Sequence, residues 1–107
     1  MNEQYIMVFV TTTSKSEAEK ISQNLLDERL IACANIIGPM ASHFHWKGKV
    51  EQAEEFLIIM KSRSDLFELL SNLVARVHSY EVPEIVAIPI IAGSKSYLAW
   101  IDEALRE

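Results

Sequence analysis

The sequence predicts an α+β fold, and three observations support this prediction. Apolar segments typical of buried strands alternate with amphipathic segments typical of helices, in the order strand, helix, strand, strand, helix, strand, then a last helix. The chain has 107 residues, 50% of them hydrophobic and 23% charged, as in a globular protein with one core. No linker or composition shift divides it. We therefore expect residues 1–107 to form a single domain with the split βαβ topology of ferredoxin-like folds.

A change in the spacing of apolar residues indicates the first strand and the first helix. Residues Tyr5 to Val10 form a β-branched and aromatic run without alternation, which is typical of a strand covered on both faces. Ser14 and Glu17 have the S-x-x-E spacing of a capping box, in which both side chains satisfy free amides at a helix start. Apolar residues then follow at helical spacing, namely Ala18, Ile21 and Leu25. We expect this helix to end near residues 28–30.

A long hairpin is predicted next. Ile31 to Ile37 and Met40 to Trp46 have strand composition, and Gly38-Pro39 between them indicates a bulge. Lys47-Gly48 can form a two-residue turn, after which Lys49 to Lys61 returns as the third strand. Each arm has about 13 residues and a length of roughly 40 Å, whereas a globule of this size has a radius of gyration of about 13 Å. We therefore expect the hairpin to overhang its own domain.

A second helix, a fourth strand and a last helix complete the prediction. Ser62 or Ser64 is expected to cap the second helix. Its apolar stripe consists of Leu66, Leu70, Leu73 and Val77. Ile85 to Ile91 is expected to be the fourth strand, in which Pro89 indicates an edge or a bulge because proline cannot donate a ladder hydrogen bond. After Gly93-Ser94, helical spacing places Leu98, Ile101 and Leu105 on one face of the last helix.

The predicted sheet needs a further covering surface. Two crossover helices cover only one face of such a sheet, whereas the first and fourth strands are apolar at every position. The second face must also leave water, and one short terminal helix cannot cover all of it. The overhanging hairpin independently exposes strand edges that favour pairing with a neighbour. We therefore expect a closed homo-oligomer.

Charge and motifs exclude several classes of protein. The net charge is −5 and the lysines and arginines are scattered, so we expect no nucleic-acid partner. No apolar run approaches the roughly 20 residues of a membrane span, and the first residues lack a secretory signal, so we expect a cytoplasmic protein without a membrane partner. Cys33 stands alone and cannot form an intrachain disulfide. With no glycine-rich phosphate loop and no nucleophile spaced to a base, we expect no enzymatic activity.

The segment from His78 to Ile85, HSYEVPEI, carries a candidate metal site. His78, Glu81 and Glu84 recur every three residues, with Tyr80 between them. Imidazole nitrogens and carboxylate oxygens are the ligands that suit Cu(II) and Zn(II). The alternative is a loop in which the carboxylates are solvated and the histidine caps the last carbonyls of the second helix.

Other polar residues offer weaker candidates. The thiolate of Cys33 would prefer Cu(I), although a single cysteine in an apolar strand is also typical of a small buried side chain. His43 and His45 project from the same strand face and could share a metal with further donors, or simply flank the hairpin turn half-exposed. A solvated acidic rim is expected near the hairpin from Glu51, Glu54 and Glu55.

Five segments in order resemble one known family. They are Ile31 to Ile37, Trp46 to Lys49, Phe56 to Lys61, His78 to Ile85 and Tyr97 to Ile101. Together they resemble the CutA divalent-cation tolerance proteins over nearly the whole chain. The resemblance implies a ferredoxin-like homotrimer, linked to tolerance of copper and other divalent cations, and a copper-binding role for Cys33. Three features depart from the family pattern: Ser79 in place of proline, Gly38-Pro39 in place of Pro-Gly, and the His43-Phe44-His45 triplet.

The resemblance also implies a cleft between subunits. Aromatic residues are candidates for its lining, with Lys61 and Glu54 as polar partners. The aromatic candidates are Trp46, Tyr80, Tyr97 and Trp100, which are equally suited to interface packing. We therefore expect a homotrimer that binds divalent cations, copper first, through His78, Glu81 and Glu84, with Cys33 as a softer second site. The alternatives are a sensor resembling the PII-type trimers, with an organic ligand between subunits, and a trimeric scaffold for a protein partner.

Overall fold

The computed structural model describes residues 4–107 and confirms the predicted order of elements. The elements are β1 (Tyr5–Thr12), α1 (Lys15–Asp27), β2 (Cys33–Trp46), β3 (Lys49–Arg63), α2 (Phe67–Val77), β4 (Ile85–Pro89) and α3 (Lys95–Ala104). A 3-10 turn, Ser64–Leu66, leads into α2. Residues 1–3 of the predicted domain lie outside the described residues. Within residues 4–107, no helix is both long enough and apolar enough to cross a membrane.

The four strands form one antiparallel sheet in the order β2-β3-β1-β4. This order confirms the ferredoxin-like prediction. The strands of the first strand–helix–strand unit, β1 and β2, are separated by β3, and those of the second unit, β3 and β4, are separated by β1. The edge position of β4 explains why Pro89 is tolerated. No strand pairs with the side of β4 that faces away from β1, so a missing N–H on that side costs no hydrogen bond.

The core lies between one face of the sheet and the two crossover helices. Alternate residues of β1 and β3 point into it and are buried, as are the apolar stripes of α1 and α2. Its main members are Val8, Val10, Ile21, Leu25, Ile58, Met60, Leu70 and Val74. Burial of these side chains supplies most of the driving force for folding.

The start of α1 follows the predicted capping box with one shift. Ser14 Oγ accepts a hydrogen bond from the N–H of Glu17 at 3.1 Å. The Glu17 carboxylate reaches back one residue further than expected, to the N–H of Thr13 at 2.9 Å. Both side chains therefore satisfy amides that the helix itself leaves free.

The end of α1 is fastened to the end of α3. Arg29 has a φ of 56°, and the N–H of Leu30 donates to the carbonyl of Leu25 at 3.0 Å, which closes the helix. The guanidinium of Arg29 donates to the carbonyl of Ala104 at 3.0 Å. In return, Arg106 donates to the carbonyl of Glu28 at 2.8 Å. Each helix end therefore supplies donors to the carbonyls of the other.

The predicted cap of α2 is wrong. Ser62 is fully buried, and its hydroxyl donates to the carbonyl of Leu30 at 2.7 Å, which joins β3 to the segment before β2. Ser64 Oγ accepts a hydrogen bond from the N–H of Gln4 at 3.1 Å. The capping position of α2 is held by Leu66 without a side-chain hydrogen bond, because the 3-10 turn leads directly into the helix.

The hairpin has the predicted turn and bulge. Its register shifts between Ile37 and Met40, at Gly38-Pro39, and Lys47 and Gly48 adopt φ angles of 51° and 82°. Two left-handed residues in sequence make a type I′ turn, which suits the twist of the flanking strands. The principal extents of the molecule are 44 × 26 × 23 Å, so the hairpin overhangs the domain as expected.

The sheet face opposite α1 and α2, here called the outer face, is apolar and incompletely covered. Its residues include Met7, Phe9, Ile59, Val86 and Ile88. The last two are 47% and 48% exposed. Helix α3 lies at one end, where Tyr5 OH donates to Asp102 at 2.6 Å. The apolar second face expected from the sequence is therefore present, and half of its β4 surface meets solvent.

Gly38→Ala is expected to destabilise the domain by about 1–3 kcal/mol, because overpacking displaces well-ordered neighbours. A Cβ at Gly38 would lie 2.5 Å from Cδ2 of Phe56, whose ring packs against the core. Gly93→Ala is the control, since its Cβ would meet only the flexible end of Leu98 at 3.0 Å. Urea unfolding measures both. Equal stability of the two variants would contradict this packing argument.

Candidate functional site

His78 is a buried connection between the loop after α2 and strand β1. Its side chain has no exposed surface. The N–H of Tyr80 donates to His78 Nδ1 at 2.9 Å, so the ring proton lies on Nε2, which donates to the carbonyl of Thr11 at 2.7 Å. The N–H of His78 donates to Val74, but its imidazole does not cap α2 as the alternative interpretation proposed. Both ring nitrogens are therefore engaged by the chain itself.

Glu17 ties the same loop to the start of α1. Its carboxylate accepts hydrogen bonds from the N–H of Thr13 at 2.9 Å and from the N–H of Ser79 at 2.8 Å. Burial raises the pKa of Glu17, but the hydrogen bonds from Thr13 and Ser79 outweigh burial and lower the pKa from 4.5 to about 2. Glu17 is therefore held as a carboxylate, 3.8 Å from His78 Nδ1.

Tyr80 ties the loop to the hairpin. Its hydroxyl donates to Glu55 Oε2 at 2.5 Å. Burial, followed by this hydrogen bond to Glu55, raises the pKa of Tyr80 to about 12. Glu55 is only 5% exposed, so the prediction of a solvated rim is wrong for this residue, whereas Glu51 and Glu54 are exposed as expected.

A cleft of about 1080 Å³, here called the acidic cleft, lies between this loop, the outer face and the distal part of the hairpin. Its apolar and aromatic walls include Phe9, Phe44, Trp46, Leu57, Tyr80 and Val86. Its carboxylates are Glu51, Glu55, Glu81 and Glu84. No lysine or arginine is among the described residues that line it. The chemistry of the cleft is therefore suited to cations and to ligands with an apolar part.

The four predicted metal ligands do not meet within one chain. Glu81 and Glu84 are exposed and line the acidic cleft. His78 lies beneath them with both nitrogens engaged, and Cys33 lies at the opposite end of the sheet. Among the side chains of residues 4–107, no group of three or more His, Cys, Asp or Glu is arranged to hold a metal ion. The ligand role of these four residues stays a prediction.

The histidine pair on the hairpin is exposed. His43 and His45 lie opposite Gln52 and Val50 in the register of β2 and β3. Neither neighbour is a strong metal donor, so a shared metal would need donors from another molecule.

The predicted intersubunit cleft divides into two clusters. Trp46 and Tyr80 line the acidic cleft. At the other end of the sheet, Lys61 pairs with Cys33 in the strand register, and Cys33 Sγ lies 3.7 Å from Tyr97 OH. The Tyr97 ring packs against Trp100 in a tilted arrangement, with 5.4 Å between centroids. Along β3, Glu55, which bonds to Tyr80, lies six residues from Lys61, or about 20 Å, and the partner of Trp46 lies farther still. One chain therefore does not bring the five residues together.

Sequence reasoning missed the partners of the loop. Thr11, Glu17 and Glu55 were not predicted as parts of the site. Glu17 was explained fully by the capping box, and a backbone carbonyl such as that of Thr11 has no sequence signal. The alternation Glu55, Leu57, Ile59 did place the carboxylate on an otherwise apolar strand face, and this was the available indication of its burial.

Glu17→Gln is expected to reduce the dependence of stability on pH. Because the pKa of folded Glu17 is about 2 against 4.5 for an ordinary glutamate, its stabilising effect is present above about pH 5 and is lost as the pH falls toward 2. The wild type should lose more unfolding free energy than Glu17→Gln between about pH 6 and pH 3, measured by urea unfolding. Glu19→Gln, an exposed change on the same helix, is the control. Parallel losses in wild type and Glu17→Gln would refute the role of these hydrogen bonds.

Comparison with known proteins identifies relatives along most of the chain. Residues 6–104 match the family model described as CutA1 divalent ion tolerance protein. The divalent-cation tolerance protein CutA of Archaeoglobus fulgidus is 46% identical over 99 residues, covering 92% of this chain and 96% of that protein. The protein of the same name from Thermus thermophilus is 39% identical over 97 residues, covering 91% and 94%. Against the chloroplastic CutA of Arabidopsis thaliana, identity is 39%, and the chain spans only 56% of the plant protein's length.

Solved structures agree with this relationship. The divalent cation tolerance protein Cut A1 from T. thermophilus superposes with a TM-score of 0.93 at 37% identity, covering 95% of this chain and 99% of that one. A structure described as the periplasmic divalent cation tolerance protein CutA from A. fulgidus gives a TM-score of 0.92 at 44% identity, with the same coverage. The chain therefore belongs to the CutA1 family of divalent ion tolerance proteins.

Proposed function

We propose that this protein binds divalent cations, copper in preference to others, and so contributes to tolerance of metal ions in the cytoplasm. The observation that carries this proposal is the acidic cleft, where four carboxylates face one cavity without a lysine or arginine among its described lining residues. Such a cleft concentrates cations, and the net charge of −5 acts in the same direction. Family membership supports the same role. The proposal includes no catalytic step.

Glu81 and Glu84 are the first candidate ligands, because both are exposed at the acidic cleft. His78 would join them only by giving up its hydrogen bond to Thr11 or to Tyr80, whereas in its present arrangement it positions the loop. Cys33 would form a softer second site near Tyr97. A four-coordinate site takes further donors, which an adjoining subunit can supply.

We also propose that three copies assemble head to tail into a closed ring. The outer face supplies the apolar surface for association, with Val86 and Ile88 about half exposed. The two clusters of the predicted intersubunit cleft lie at opposite ends of the sheet in each subunit. A heterologous contact would bring Trp46 and Tyr80 of one subunit toward Lys61, Tyr97 and Trp100 of the next.

A sensor of a small organic molecule is the second candidate function. The acidic cleft is near the upper limit of the usual volume range for small-molecule sites, at about 1080 Å³, and has aromatic walls that a bare ion does not use. In this function the cavity between subunits would bind the effector, and metals would bind incidentally.

Copper titration of metal-free protein by calorimetry tests the first candidate. Wild type should bind copper stoichiometrically, and Glu81→Gln/Glu84→Gln should weaken binding by about tenfold or more, because two donors are lost. Glu19→Gln/Glu68→Gln makes the same charge change at exposed helix positions and should stay within about twofold. The proposal is rejected if the cleft variant binds like wild type, or if wild type binds no tighter than a denatured sample.

Ile88→Lys tests the ring by sedimentation at micromolar protein. Burying an unpaired ammonium in an apolar interface is costly and weakens the assembly. The protein concentration at which half of the assembly has dissociated should therefore rise roughly tenfold or more. Leu69→Lys, at a residue 50% exposed on α2 against 48% for Ile88, is the matched control and should sediment like wild type. A wild-type monomer, or an Ile88→Lys protein that assembles normally, would disprove association through the outer face.

A further inference from the structure

Glu55 is an enclosed carboxylate with one unused oxygen. The residue is 5% exposed, and its Oε2 receives the hydroxyl of Tyr80 at 2.5 Å. Its Oε1 accepts no hydrogen bond from residues 4–107. Among residues 4–107, Ser22 Oγ is the only side-chain polar atom that is both inaccessible to solvent and without a hydrogen-bond partner. Because Glu55 Oε1 also has no partner, it must be accessible to solvent. Since Glu55 lines the acidic cleft, its free oxygen is open to that cavity.

Among residues 4–107, no lysine, arginine or histidine forms an ion pair with this carboxylate. A carboxylate removed from water needs a cation or several donors, and Glu55 has one neutral donor. Glu51, Glu81 and Glu84 add negative charge around the same cavity. The acidic cleft therefore favours cationic ligands over anionic ones.

The walls of the cleft indicate the rest of the ligand. Phe9, Leu57 and Val86 form an apolar floor, which a metal ion would leave unused. The Trp46 ring suits a cation, since Lys47 Nζ of the same chain lies 5.6 Å from its centroid, and the ligand would use the part of the ring that faces the cleft. A ligand that uses both features has a positive group at one end and an apolar body.

We infer that the acidic cleft binds a primary ammonium group carried on an apolar stem, with Glu55 Oε1 as its anchor. Two sources have this chemistry. One is a free organic amine, and the other is the lysine side chain of a neighbouring copy. Lys61 suits the second source, because it lies on the outer face and pairs with no carboxylate in the described part of its own chain. Neither source requires the metal binding proposed above.

Calorimetric titration with 2-phenylethylamine tests the inference. Lys61→Met should bind it with a Kd of about 1 mM or tighter, as should wild type if its cleft is free, and adding Glu55→Gln should weaken that binding about tenfold or more. The glutamine still accepts the Tyr80 hydrogen bond, so the fold should be retained, which the urea midpoint checks. Glu54→Gln is the matched control, since Glu54 is exposed and lies outside the acidic cleft, and it should stay within about twofold. The neutral analogue 2-phenylethanol should not bind.

Lys61→Met distinguishes the two sources. If the partner subunit's Lys61 fills the cleft, the amine should bind to Lys61→Met and not to wild type. If the ligand is a free amine, both proteins should bind it equally. Either result supports the ammonium site when Glu55→Gln, made in the protein that binds, weakens binding about tenfold or more. The inference is overturned if neither protein binds the amine, if Glu55→Gln has no effect, or if Glu54→Gln weakens binding equally. The copper titration is independent, so failure of one ligand leaves the other proposal standing.

Discussion

Two helices can cover only one face of a sheet whose central strand is apolar on both. This constraint governs the molecule, because β1 sends Val8 and Val10 into the core while Met7 and Phe9 face the other way. The crossover helices α1 and α2 cover the first face. The second face keeps an apolar surface that α3 covers at one end, and the acidic cleft lies at its opposite end. The fold, the proposed association and the candidate site thus share one origin.

The loop after α2 combines structural contacts and candidate site residues in adjacent positions. His78 fastens it to β1, Ser79 fastens it to the start of α1 through Glu17, and Tyr80 fastens it to the hairpin through Glu55. These hydrogen bonds connect the loop to two regions that are far from it in sequence, the β1–α1 junction and the hairpin. The exposed carboxylates that follow are therefore held on a fixed base, as a binding site requires.

Local patterns predicted the fold well and the site only in part. The order of elements, the bulge at Gly38-Pro39 and the Lys47-Gly48 turn each have a signal within a few residues. The burial of Glu55 and the use of Ser62 in β3 depend on partners 25 and 32 residues away. Periodicity carries no information about such partners, so the sequence located the loop correctly without revealing which of its side chains were already engaged.

The exchange of arginines between α1 and α3 has a consequence for local motion. Arg29 bonds to a carbonyl at the end of α3, and Arg106 bonds to a carbonyl at the end of α1. Fraying of either helix would remove acceptors from the arginine of the other. Opening of one helix end is therefore coupled to opening of the other, although the two ends lie about 75 residues apart in sequence.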